Sequence, residues 1–116
     1  MKYMCMIFDN EKNWVDASPE EQQAIFGAHM SFTEEAKAAG VLVGGEALQP
    51  SPTASVVTAR DTGVVTTDGP FLESKEQLGG YYIVECASAE EAAKWAAKIP
   101  EAKTGHVEVR AIMSFD

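Results

Sequence analysis

The chain reads as an α+β protein, a ferredoxin-like sandwich in which two helices pack on one face of an antiparallel sheet. Three observations predict this. Two strand–helix–strand units fit within 116 residues. Each helix opens on the same signal, a serine followed three positions later by a glutamate. The runs 2–8 and 81–84 are apolar on both faces while the other strand candidates alternate, which puts those two runs at the sheet centre.

The elements follow in order. Met1 to Phe8 is apolar and breaks at Asp9-Asn10-Glu11, too short to span a bilayer and with no small-residue cleavage site after it, so 2–8 is a buried strand. Trp14, in the loop that follows, reads as a lid over the core. Ser18 caps the first helix, Pro19 takes its first position and Glu21 completes a capping box. Ile25, Phe26, His29, Phe32, Thr33 and Ala36 recur at helical spacing until Gly40 ends the helix. A strand over about 41–48 precedes the loop Pro50-Ser51-Pro52, and a hairpin turns around Asp61-Thr62-Gly63. A strand over 80–86 leads to a second helix capped by Ser88, with Ala92, Trp95, Ala96 and Ile99 as its buried stripe and Pro100 as its stop. In the last strand, 106–113, Val107, Val109, Ala111 and Met113 share one face and His106, Glu108, Arg110 and Ile112 the other.

Length and a 46% hydrophobic content describe one globular domain over residues 1–116. A formal net charge of −9 with no basic run repels phosphate backbones and anionic lipid, which excludes nucleic acid and membrane surfaces as expected partners. Cys5 and Cys86 sit in apolar strands without metal-ligand spacing, the pattern of reduced core thiols in a cytoplasmic protein. No metal signature, phosphate-cradling loop or nucleophile elbow is present, and no cofactor is expected. Two helices cover one sheet face only, yet Tyr3/Cys5/Ile7 and Met4/Met6/Phe8 both need burial, so a homodimer through the uncovered face is expected.

The most informative stretch is Asp68-Gly69-Pro70-Phe71-Leu72-Glu73-Ser74-Lys75-Glu76-Gln77-Leu78-Gly79-Gly80. Asp68 is suited to bond its own backbone, Gly69 to take a backbone angle other residues resist, and Pro70 to fix the corner. This stretch resembles the signature of the YCII-related family, in particular its branch named for the Asp-Gly-Pro-Phe motif. Ala39-Gly40-Val41-Leu42 with Gly44-Gly45-Glu46-Ala47-Leu48 is similar to the family's first crossover, and Gly105-His106-Val107-Glu108-Val109-Arg110 to its last strand. The resemblance implies a dimeric α+β barrel with a small-molecule pocket between helix and sheet. Some members are encoded beside alternative sigma factors, and one relative is a dehydrochlorinase of hydroxylated aromatics. It also implies a helix histidine paired with an aspartate in the following strand. Residues 41–48 hold Glu46 and no Asp, so Glu46 or Asp68 is left to serve.

His29 is the candidate general acid/base, because imidazole titrates near neutral pH without help. Its alternative is a core histidine bonded to a backbone carbonyl. Asp68 is the second catalytic candidate beyond its turn role. Glu46, Glu73, Lys75 and Arg110 are candidates for substrate binding, with Lys75 or Arg110 holding an anion; for Arg110 the competing role is a salt bridge with Glu108 at an interface. Two functions follow. One is a lyase or isomerase moving a proton on a ring or enol substrate through His29. The other is a non-catalytic module that binds a ligand or partner and serves sigma-factor-linked transcriptional regulation.

Overall fold

The structure, a computed structural model, describes residues 1–115. Strand β1 (Lys2–Asp9) leads through the short helix α1 (Lys12–Val15) into the long helix α2 (Pro19–Ala38) and strand β2 (Leu42–Ala47). A hairpin of β3 (Ser55–Arg60) and β4 (Gly63–Asp68) follows, then β5 (Gln77–Glu85), α3 (Ala89–Ala96) and β6 (His106–Ala111). The main sheet runs β2-β5-β1-β6 with every neighbouring pair antiparallel, while β3 and β4 form a separate two-stranded sheet. This is the ferredoxin-like order, and β1 and β5 hold its centre as their two-sided apolar runs predict.

The core lies between the sheet and the helices. Tyr3, Cys5 and Ile7 from β1 and Val84 from β5 meet Phe32 and Ala36 of α2, Ala92 and Ala96 of α3, and Ile99 beyond it. Alanine at the closest helix positions lets both helices approach the sheet, and Phe32 fills the space between Tyr82 and Trp95. Cys5 and Cys86 are buried free thiols; burial, with Cys86 adjacent, pushes the Cys5 thiol up to about 11.

Helix ends behave as the sequence dictates, with one exception. The Ser18 side chain accepts from the Glu21 N–H and the Glu21 carboxylate accepts from the Ser18 N–H, so the capping box is complete. At the other end Gly40, at φ 74°, lets Val41 N–H reach Ala36 O and Gly40 N–H reach Lys37 O, a Schellman motif. Helix α3 instead ends at Ala96, short of the expected stop at Pro100. The residue before a proline is driven out of the helical region, and Ile99 is indeed extended at ψ 132°. A second difference is Phe26, placed on the buried stripe by its spacing but 63% exposed. The last strand is also shorter than expected, leaving Met113 outside it and exposed.

The Asp-Gly-Pro-Phe corner is built differently from the turn its composition suggests. Gly69 does not occupy the left-handed region; the Gly69–Pro70 peptide is cis, and Gly69 N–H donates to Ala54 O at 2.8 Å. Glycine is required by proximity, since a Cβ there would lie 3.1 Å from that of Ala54 and 3.2 Å from Val56. Among the described residues the Asp68 carboxylate makes no hydrogen bond. The hairpin itself projects from the body as an arm: every residue of β4 is exposed, Val64 and Val65 among them.

Candidate functional site

Helix α2 crosses the covered face of the sheet and is pinned there by buried Phe32, whose ring stands 4.7 Å from that of Tyr82. Tyr82 pairs with Cys5 on one side and Gly45 on the other, so its side chain shares the inward face of β5. A Cβ at Gly45 would come within 2.7 Å of the Tyr82 ring, so glycine is what allows the ring to lie where it does. His29, one helical turn before Phe32, then meets the phenol: its Nδ1 is 2.7 Å from Tyr82 Oη, and the two rings stack at 26°.

The other ring nitrogen has a carboxylate. His29 Nε2 lies 2.8 Å from Glu101 Oε2, to which it is hydrogen-bonded, and 2.8 Å from Oε1, which is buried without a hydrogen bond. Glu101 sits on the single helical turn Pro100–Ala102 that joins α3 to β6. Almost fully buried Ile99 anchors that turn from one side. From the other, Gly105 N–H donates to Glu101 O at 2.7 Å, and Gly105 lies so close to β1 that a Cβ would be 2.1 Å from Phe8 O. An ionised carboxylate only accepts, so Nε2 beside it carries a proton; in a neutral ring Nδ1 is then the acceptor, and the Tyr82 hydroxyl its donor. Burial raises the Tyr82 pKa, a hydrogen bond from the Thr33 hydroxyl works against this, and the Glu101 charge adds to the rise.

This trio borders a cavity of about 430 Å³. Trp14, Ile25, Phe26, Met30 and Leu48 supply apolar walls, and β5 contributes Gln77 to Tyr82. Exposed Phe26, Met30, Trp14 and Leu48 form its rim, which explains the solvent-facing Phe26. No lysine or arginine lines it, whereas Asp9, Glu11, Glu46 and Glu101 do. Two of those carboxylates are already engaged locally, Asp9 by Asn10, Asn13 and Thr104, and Glu11 by the backbone of Ser51. Among the described residues no three His, Cys, Asp or Glu side chains converge as a metal-binding set.

The residues singled out from the sequence are therefore distributed over three places. His29 is at the cavity wall. Glu46 borders the cavity through β2, but its pairing opposite Tyr81 puts its side chain on the sheet face away from α2. Arg110 pairs with Glu108 on that same far face. Asp68, Glu73 and Lys75 are outside the cavity lining; the neighbouring residues Pro70 to Leu72 and Ser74 line a second groove of about 590 Å³ beside the arm. Only the end of the motif, Gln77 to Gly80, reaches the His29 cavity. The carboxylate beside His29 is Glu101 rather than Glu46 or Asp68.

The sequence reading does not single out Tyr82 or Glu101. For Tyr82 a signal existed, because strand alternation puts its hydroxyl on the core face, where it needs a partner. Glu101 lies in a turn without periodicity, and only its position between the anchor Ile99 and the last strand marks it.

Residues 1–116 match the family model described as the YCII-related domain. An uncharacterized protein of Rhizobium meliloti (strain 1021) is 32% identical over 114 residues, 95% of this chain and 90% of that protein. Among solved structures, the 5-chloro-2-hydroxyhydroquinone dehydrochlorinase of Burkholderia phenoliruptrix AC1100, in complex with 2,5-dihydroxybenzoquinone, superposes with a TM-score of 0.57. That match covers 97% of this chain and 94% of the other at 15% identity, a likeness of fold. No helix among the described residues is long and apolar enough to cross a membrane.

Proposed function

The chain belongs to the YCII-related family, and from that premise and the cavity we propose that it binds a small, uncharged, hydroxylated or enolisable ring and moves a proton on it. The observation that carries this reading is His29, held by Tyr82 and Glu101 at the wall of an apolar cavity of ring-sized volume. Both of its ring nitrogens meet groups able to exchange a proton, the Tyr82 hydroxyl and the Glu101 carboxylate. Apolar walls and a lining without Lys or Arg disfavour an anionic ligand, so neither Lys75 nor Arg110 acts as the anion holder within one chain. The dehydrochlorinase of similar fold, in complex with a dihydroxybenzoquinone, supports a hydroxylated ring as the ligand class.

The finer assignment places the chain in the Asp-Gly-Pro-Phe branch, as a cytoplasmic homodimer joined through the sheet face opposite the helices. Asp68, Glu73 and Lys75 near the arm and Arg110 on the open face then serve the contact between copies.

The test uses two ligands of similar size. Hydroquinone, uncharged at neutral pH, should shift the NMR signals of Trp14 and His29, and anionic benzoate should not. On 5-nitrobenzisoxazole, an uncharged ring that opens when a base removes its C–H proton, wild type should accelerate opening and His29→Gln should lose about 10²-fold of that. Hydroquinone binding without any acceleration would leave a non-catalytic ligand-binding module, the form a transcription-linked role would take.

A further inference from the structure

We propose that Tyr82, rather than His29, is the group that exchanges a proton with the ligand, with the His29–Glu101 pair behind it as the base. The inference rests on the acid–base reading of the cavity and assigns the contacting atom within it. His29 has no ring nitrogen to spare: Nε2 is committed to Glu101 at 2.8 Å and Nδ1 to Tyr82 at 2.7 Å. An imidazole with both nitrogens engaged cannot accept from a ligand without first losing one of these bonds. A phenol oxygen can donate one hydrogen bond and accept two. Tyr82 Oη gives its one proton to His29, which leaves its acceptor side for a ligand, and Tyr82 borders the cavity.

The step balances as a two-proton relay. The ligand's C–H or O–H bond breaks as its proton joins Tyr82 Oη, while the original Tyr82 proton passes to His29 Nδ1. The tyrosine is neutral before and after. The products are a ligand anion and an imidazolium, whose charge Glu101 compensates from Nε2. In the reverse direction the imidazolium reprotonates Tyr82 as Tyr82 protonates the product, which an isomerisation requires.

The experiment uses the full chain with 5-nitrobenzisoxazole, whose N–O bond breaks on loss of the C–H proton to release a coloured phenolate. Tyr82→Phe should cut ring opening about 10²-fold, as His29→Gln does, while hydroquinone binding survives. Opening that is maintained or faster in Tyr82→Phe, where Nδ1 becomes free, would overturn the role of Tyr82 and leave His29 as the direct base. No acceleration by wild type would overturn both readings. A second measurement needs no turnover: side-chain ¹⁵N shifts should place the proton of neutral His29 on Nε2. A neutral ring protonated on Nδ1 would sink the relay, because Tyr82 would then be accepting rather than donating.

Discussion

At the scale of single residues, the site depends as much on an absent side chain as on those present. Gly45 has an ordinary backbone conformation, so its value lies in space: a Cβ would sit 2.5 Å from Tyr81 O and 2.7 Å from the Tyr82 ring. Gly45→Ala should therefore cost about 1–3 kcal/mol in a urea melt through overpacking. It should also displace Tyr82 from His29, so that hydroquinone binding falls more than in Gly44→Ala, where the new Cβ meets nothing within 4 Å. Equal effects of the two substitutions would show that β2 does not position the tyrosine. His29 was legible in the sequence because an ionisable ring on an apolar helical stripe stands out. Its partners were harder to see. Tyr82 merges into a two-sided apolar run, and the carboxylate that arrives, Glu101, is 72 positions away on a single turn, where neither the following strand nor the Asp68 turn points to it.

Among the elements, α2 carries the site and its ends decide its register. The capping box fixes its start, the Schellman motif its end, and His29 and Phe32 fall on the sheet between them. Ser18→Ala should cost about 1 kcal/mol in thermal or chemical denaturation. The Glu21 half of the box has a pH signature. Bonds from the Ser18 backbone and side chain hold the Glu21 carboxyl below its ordinary 4.5 in the folded chain. A depressed folded-state value means the contribution is present above that ordinary value and is lost as pH falls through the folded one. The stability deficit of Glu21→Ala relative to wild type should accordingly shrink in acid; a deficit unchanged from pH 7 to pH 3 would show that the carboxylate bond is not its source. Helices were legible because their caps are local signals. The turn at Pro100–Ala102 and the short α1 were not, since both are fixed by what they pack against: Ile99 in the core for the first, the Asp9 carboxylate and the Asn10 carbonyl for the second.

As a whole, the molecule is flat and exposes much of its surface. Its extents are 49 × 46 × 18 Å and its radius of gyration is 16.1 Å, against about 13 Å for a compact domain of this length. Its accessible surface of 8253 Å² exceeds by roughly 2,000 Å² what a monomer of its mass shows. A standard interface removes about 800 Å² per partner, so one such contact would account for about two-fifths of the excess. Met4 and Met6 pair with Ile83 and Tyr81 on the sheet face no helix covers, and the arm holds out Val57, Val64 and Val65 with Phe71, 78% exposed, at its base. A two-stranded hairpin is marginal in water without something to pack on. Light scattering at micromolar concentration should give twice the 12.5 kDa of one chain. Met6→Glu, a charge at the centre of the open face that leaves the helix side untouched, should shift that mass toward one chain. Val64→Asp, on the arm alone, should weaken association less if the sheet face is the main contact and equally if the arm clasps the second copy. A wild-type mass of 12.5 kDa under the same conditions would rule the dimer out, and the exposed arm would then need a different partner to explain why so many of its valines face solvent.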